Sequence, residues 1–439
     1  MKRGNVRWLM VGLVLAIAAV AYLDRSNISI AASFIKHDLA LTDVQLGVVF
    51  SAFVLGYALT QPLAGRFADR YGAYRVIALG ILWWSVLTAI TAAIPATFSG
   101  AFMTLLAARF MLGVGESVIF PASNRLVANW VPSHERGLAN GLVFAGVGIG
   151  AGVAPPLITT VMLEHGWRWA FFATAGIGVA ALIVWLLAAR DSPARHFMVK
   201  PAELDYILAG GTTQATTSEA ARPDTVAPWR SIICNRQVIL LTLSYFCFGY
   251  VAYIFFSWFF VYLSTVRGLD LKSSGVYGML PFIAMAVASP VGGWISDRLT
   301  VRFGRRIGRC SVAGIGMAAA ALFVAGATQV ADVRLASLVL AAGSGSLYLA
   351  QSAFWTLSAD LGKSSAGSLA GVMNTGGQLG GAVVASLTPI LAQQIGWSGS
   401  FVFTAAVALL GAIAWLFIDP NAELEIAAQP VRQAATQVS

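Results

Sequence analysis

The sequence predicts an all-helical polytopic membrane protein that crosses a bilayer twelve times, and three observations carry that expectation. The 439 residues are 58% hydrophobic and only 11% charged, where a soluble chain carries about 25% charged residues. Apolar stretches of roughly 20 residues recur from end to end, each long enough to span hydrocarbon. A backbone inside a bilayer must satisfy its own hydrogen bonds, so stretches of that length are helices.

Taken in order, the spans fall near residues 8–35, 44–68, 75–96, 98–121, 137–161, 169–189, 237–265, 274–296, 310–328, 334–359, 366–392 and 399–418. The first begins like a signal peptide, with Lys2 and Arg3 ahead of an apolar run and Ala19, Val20 and Ala21 within it. The apolar helix resumes past Arg25, however, and cleavage would leave an odd number of spans, so the segment reads as span 1. Pro155 and Pro156 interrupt the fifth span and predict a kink used in gating.

The net charge of +9 does not point to nucleic acid once its distribution is considered. Lys2, Arg3 and Arg7 precede span 1. Arg66, Arg70 and Arg75 lie between spans 2 and 3, and Arg298, Arg302, Arg305, Arg306 and Arg309 between spans 8 and 9. Residues 95–100 and 393–400, in alternate loops, hold no basic residue. This bias places both termini in the cytoplasm and makes the lipid bilayer the partner. Cys234, Cys247 and Cys310 show neither metal-ligand spacing nor a disulfide pattern. His37, His134, His165 and His196 fall in loops and read as solvated. No phosphate-cradling loop, metal cluster or nucleophile–base pair stands out, which argues against an ATP-driven pump and an enzyme.

Residues 191–235 form the one long polar stretch. Within it, 210–221 is rich in Thr, Ala and Gly and reads as flexible, while 201–207 reads as a short surface helix. The chain divides into a first bundle (1–190), a cytoplasmic linker (191–235), a second bundle (236–420) and a cytoplasmic tail (421–439). The bundles look like repeats. Gly65, Asp69 and Arg70 return as Gly293, Asp297 and Arg298, shifted by 228. Gly137, Gly141, Gly146 and Gly150 return as Gly367, Gly371, Gly376 and Gly380, shifted by 230. Two six-helix repeats with a site between them is a transporter architecture.

The candidate chemistry begins with Asp24 and Arg25, which interrupt the apolar run of span 1. Ionised groups at the centre of a bilayer cost at least about 2.5–3.5 kcal/mol each, so they mark a functional site by default. In span 4, Arg109 and Glu116 lie seven residues apart and share a helix face about 10 Å long. A planar guanidinium binds a carboxylate with two parallel bonds and is a natural anion receptor. A carboxylate removed from water takes up a proton more readily than a solvated one. Spans 1 and 4 thus supply two acids and two arginines, the minimum for proton–anion symport, with Asp24 and Glu116 as proton carriers. The plainer alternative is a pair of structural ion pairs, Asp24 with Arg109 and Glu116 with Arg25. Whether Arg25 or Arg109 is the main anion clamp stays open at this point.

The second half carries no charge in the middles of spans 7, 8, 10 and 11. It offers Tyr250, Tyr253, Ser257, Trp258, Ser352, Trp355, Asn374 and Gln378, of which the last two share a helix face. Amides and aromatic rings suit a polyhydroxyl body, although Asn and Gln also bridge spans. Tyr253, Trp355, Asn374 and Gln378 are therefore candidate substrate contacts.

The loop after span 2 places Gly65, Asp69, Arg70, Gly72 and Arg75 in order, and the loop after span 8 repeats Gly293, Asp297 and Arg298. This resembles the signature loop of the major facilitator superfamily. Tyr22, Asp24, Arg25 and Asn27 in span 1, and Arg109, Gly113, Glu116, Phe120 and Pro121 in span 4, resemble its anion:cation symporter branch. So do Phe354, Trp355, Gly371 and Asn374. That branch holds bacterial galactonate, glucarate and hexuronate transporters and is related to sialin and the vesicular glutamate transporters. The resemblance implies the major facilitator fold and import of a small organic anion, driven by protons, by alternating access. A sugar acid (aldonate, aldarate or hexuronate) is the leading substrate class. Another carboxylate such as tartrate or an aromatic acid, anion exchange, and a non-transporting anion sensor are the alternatives. It also implies that Tyr22 and Tyr57 lie by the cavity. One of the two arginines should contact substrate while the other pairs with the acids. Gly65, Asp69, Arg70, Arg75, Asp297 and Arg298 should form a conformational switch, a carboxylate set among guanidinium groups. Protons are the only coupling partner expected, with no other cofactor, in a monomer of the bacterial inner membrane.

Overall fold

A computed structural model of the chain describes residues 4–209, 226–259, 262–269 and 271–422. The stretch 210–221 and nearly all of the tail 421–439 lie outside the described residues. Among those described the regular structure is helical throughout.

Among the described residues, the helices make up twelve crossings. Spans 1 to 3 are Val6–Ile30, Asp43–Tyr71 and Ala73–Ala93. Span 4 is built from Ala101–Glu116 and Ile119–Trp130, and spans 5 and 6 are Arg136–His165 and Trp167–Ala188. Span 7 is Arg236–Ser257, span 8 lies in Leu271–Arg305, span 9 is Val312–Ala327 and span 10 is Val333–Gly362. Spans 11 and 12 share the stretch Ala366–Phe417, divided at Gly396. Leu59, Leu79, Leu187 and Leu410, among other large apolar side chains, are exposed on these helices, as a surface solvated by lipid requires.

The repeat is visible in the turns. Gly72 (φ 92°) and Gly166 (φ 87°) close spans 2 and 5, and Gly304 (φ 84°) and Gly396 (φ 75°) close spans 8 and 11. A Cβ disfavours this left-handed region, so glycine is the residue that lets each helix pair reverse tightly. Three details depart from the sequence reading. Span 1 stops at Ile30, and Ala32–Asp38 forms a separate short helix. There Asp38 accepts bonds from Arg168 and Trp167, which hold its carboxyl below the usual range. Span 4 runs on past 121 to Trp130, after an interruption at Ser117 and Val118. Span 5 continues as one helix through Pro155 and Pro156.

The repeated glycines are contact points between backbones. A Cβ on Gly65 would lie 2.0 Å from the Gly367 carbonyl, and one on Gly293 would lie 2.0 Å from that of Gly137. Gly371 packs on Gln61 of span 2 and Gly141 on Ser289 of span 8, so these pairs join the two halves. Gly146 and Gly150 instead pack on Leu15 and Ala19 of span 1, while Gly376 and Gly380 pack on Thr242 and Phe246 of span 7. Spans 5 and 11 therefore use one face toward the opposite half and another toward their own.

The expected surface helix forms as Pro201–Ala209. It is fastened beneath the first half, where Arg7 Nε is 2.8 Å from Glu135 and its backbone N–H donates to the buried Glu203 at 3.1 Å. His134 and His196 are not free loop residues. The ring of His134 lies 2.8 Å from the Tyr206 hydroxyl, and His196 is buried edge-on against Trp130.

Candidate functional site

Span 1 brings its two adjacent charges into different surroundings. Asp24 is buried among hydroxyls: Thr88 of span 3 donates to it at 2.7 Å, Thr174 of span 6 lies at 3.3 Å, and Asn27 donates at 3.4 Å. Arg25, one residue on, meets a different set of partners. Its Nη2 is 3.0 Å and its Nε 3.3 Å from Glu116 Oε2. Its guanidinium lies 4.6 Å from the ring centres of Tyr22 and Tyr57 and 4.8 Å from that of Phe53. Rings around a cation supply attraction without neutralising it.

Arg109 and Glu116 do share a face of span 4, and both are buried. Of the two pairings considered from sequence, Glu116 with Arg25 forms as an ion pair. Asp24 and Arg109 make none among the described residues. Arg109 packs over Phe53 at 4.9 Å, so that both guanidinium groups meet the same ring. Glu116 keeps its second oxygen buried and, among the described residues, without a hydrogen-bond partner.

Between the halves lies a cavity of ≈ 180 Å³. Tyr22, Arg25 and Tyr57 line it from the first half, and Tyr253, Asn374 and Gln378 from the second. Arg109 and Trp355 do not reach it. Trp355 is buried behind the wall, where its Nε1 donates to Tyr245 at 3.0 Å and its ring packs against Phe120 and Phe144. Tyr250, on another face of span 7, packs against Phe403. Tyr253 donates to Gln378 Oε1 at 2.6 Å.

Sequence reasoning passed over Thr88, Thr174, Tyr245 and Gln351. Helical counting contained a signal for two of them. Tyr245 is eight residues before Tyr253, and Gln351 four before Trp355, hence each is on a shared face. Ser85, Thr88 and Thr91, three apart on span 3, form a buried polar stripe.

The end of the molecule that carries the two signature loops is shut. Asp69 accepts from the backbone N–H of Gly367 and Ser368 at the start of span 11, at 2.9 and 2.7 Å. Asp297 does the same at the start of span 5, with Gly137 and Leu138 at 3.0 and 2.7 Å. A carboxylate at a helix N-terminus satisfies orphan N–H groups and meets the positive end of the helix dipole. Arg136 to Asp360 at 2.7 Å and Asn124 to Ser358 at 2.8 Å add further bonds across the same seam. The expected carboxylate among guanidinium groups is corrected in its partners. Asp297 pairs with Arg309 at 2.6 Å and Asp69 approaches Arg125 at 3.8 Å. Arg70 and Arg298 lie over Tyr71 and Trp294 instead, and Arg75 makes no ion pair with either aspartate.

The profile of the Major Facilitator Superfamily matches residues 14–385. The chain belongs to that superfamily. It is 34% identical, over 95% of both chains, to a probable sulfoacetate transporter, SauU, of Cupriavidus necator. It is 30% identical to a D-galactonate transporter of Escherichia coli, over 95% of this chain and 96% of the other. An ascorbate transporter of Arabidopsis thaliana chloroplasts is 31% identical over 93% of this chain and 74% of that one. Among solved structures, the proton:xylose symporter XylE superposes with a TM-score of 0.73 at 14% identity, covering 94% of this chain and 96% of its own. This member of the Major Facilitator Superfamily is thus a multi-pass membrane transporter and not an enzyme, with the fold the sequence predicted.

Proposed function

We propose that this transporter imports a small organic anion together with protons, by alternating access, and that the anion is a sugar acid. One observation carries the reading: the Arg25 guanidinium stands on the cavity wall and is held at the same time by the buried Glu116. An ionised Glu116 neutralises the cation. A protonated Glu116 releases it, and an incoming carboxylate takes the vacated bonds. Proton and anion then load together because each removes the other's electrostatic cost. Asp24 serves as a second proton site, off the cavity and among hydroxyls. Arg25, rather than Arg109, is the anion clamp in this scheme.

Tyr22, Tyr57, Tyr253, Asn374 and Gln378 give the cavity the amides and rings that a polyhydroxyl body needs. The galactonate-transporting relative supports the same class. A short sulfonated acid is the second reading, favoured by the relative described as a probable sulfoacetate transporter. With both termini cytoplasmic in a bacterial inner membrane, the shut end faces the cytoplasm and the cavity serves the outer side, ready to load. The loop residues Gly65, Asp69, Arg70, Arg75, Asp297 and Arg298 surround the switch, with the two aspartates as its working groups. Purified protein in liposomes, acidic outside, should accumulate a labelled sugar acid above its external concentration. Binding without accumulation would leave a sensor, and accumulation indifferent to the pH gradient would remove the proton coupling.

A further inference from the structure

At the second-half wall, three side chains form a hydrogen-bonded cluster that the scheme above does not use. The Tyr245 hydroxyl oxygen lies 2.9 Å from Gln351 Nε2 and 3.0 Å from Trp355 Nε1. All three are buried, and Tyr245 and Gln351, unlike Trp355, line the cavity. The hydrogens can be counted. An indole N–H can only donate, a phenol carries one hydrogen and a primary amide two. The indole must therefore give its hydrogen to the Tyr245 oxygen. If the amide also donates, the phenol O–H and the second amide hydrogen are unspent. If the amide is turned over, so that its oxygen meets the phenol, the phenol donates to it and both amide hydrogens are unspent. Either way two donors remain, and among the described residues no acceptor is bonded to them. Gln351 Oε1 is likewise buried without a partner.

We infer that Tyr245 and Gln351, aligned from behind by Trp355, form a second oxygen-binding subsite facing Arg25 across the cavity. The inference rests on the reading of Arg25 as the clamp for the acid group. The transported anion then carries its acid group at one end and hydroxyl, carboxylate or sulfonate oxygens at the other. A plain alkyl acid fits the first end and leaves buried donors unmade at the second, which is how a site rejects an analogue lacking the expected oxygen. Trp355 is a positioning residue here, acting on substrate through Tyr245.

The test compares gluconate with hexanoate, which share a six-carbon chain and an acid group but differ in hydroxyls. Their affinities are measured by calorimetry on the full chain in lipid nanodiscs. Wild type should prefer gluconate. Tyr245→Phe and Gln351→Leu should each weaken gluconate about tenfold and hexanoate by less than about twofold, the asymmetry expected of a lost buried hydrogen bond. Trp355→Phe keeps an aromatic ring and removes the N–H, so it should lower the gluconate-to-hexanoate ratio as well. It carries the measurement if Tyr245→Phe gives no cooperative melting. Equal losses for both acids, or an unchanged ratio in all three variants, overturns the subsite while leaving proton–anion symport intact. A wild type that binds neither acid nor any other organic anion overturns the transport reading and the subsite together.

Discussion

Arg25 and Asp24 are neighbours in the chain yet meet different surroundings, about 100° apart around one helix, and the proposed division of labour follows from that. Glu116→Gln preserves shape while removing the charge that competes for Arg25. Counterflow, which needs no net proton movement, should survive in this variant while uptake driven by a pH gradient is lost. Asp24→Asn should also lose gradient-driven uptake, because the group that Thr88 and Thr174 surround becomes an amide that carries no titratable proton. Concentrative uptake by both variants would sink the assignment. Arg25→Lys keeps a positive charge but not the planar fork, so anion binding should weaken by about 1.5–3 kcal/mol in calorimetry. Arg109→Lys, away from the cavity, should change binding much less; the reverse order would exchange the two roles. Asn374, on the cavity wall of the neutral half, should matter only to hydroxylated ligands. Asn374→Ala is expected to cost a sugar acid about 1–3 kcal/mol and to leave the pH dependence of binding in place. An equal cost for an acid without hydroxyls would make Asn374 a bridge between spans.

At the scale of elements, spans 5 and 11 work as two-faced wedges because their glycines are spaced to admit backbone on both faces. Gly65 has no room for a methyl group against the Gly367 carbonyl. Gly65→Ala must push spans 2 and 11 apart at the shut end, and overpacking of this kind costs about 1–3 kcal/mol. Charged only to the closed state, that cost shifts a two-state equilibrium about 5- to 150-fold toward the state open at this end. A cysteine replacing Asn124, which is buried in the seam against Ser358, reports the shift. With Cys234, Cys247 and Cys310 changed to Ser, its reaction with a water-soluble maleimide should be faster in Gly65→Ala than in the parent. An unchanged rate would mean the seam accommodates the methyl without opening.

For the molecule as a whole, the shut end is held by two related locks, Asp69 on span 11 and Asp297 on span 5. Each joins one half to the other, and in the proposed alternating-access scheme both bias the same equilibrium. Asp69→Asn and Asp297→Asn should therefore each raise the maleimide rate at position 124, and the double variant should raise it by close to the product of the two factors, as independent distant sites do. A double variant no faster than the stronger single one would mean that one lock alone holds the closed state.

The sequence by itself determined the fold class and its twelve crossings, and it singled out the charged residues on which the proposed site rests. Bilayer solvation makes length and hydropathy decisive for crossings, and a charge in hydrocarbon stands out whatever the fold. Repeated glycines disclosed the duplication because close helix packing needs them at fixed spacing. Tertiary structure decided the partners. One position along a helix turns a side chain by about 100°, so Asp24 and Arg25 could not be assigned to different surroundings until spans 3, 4 and 6 were placed around them. The same is true of Trp355, which lies on a promising face yet sits one layer behind Tyr245. It is true also of Asp69 and Asp297, whose partners are backbone N–H groups some 160 to 300 residues away in the chain. No local pattern encodes such pairs. They exist because two folded halves meet, and that meeting is what a transporter makes and breaks.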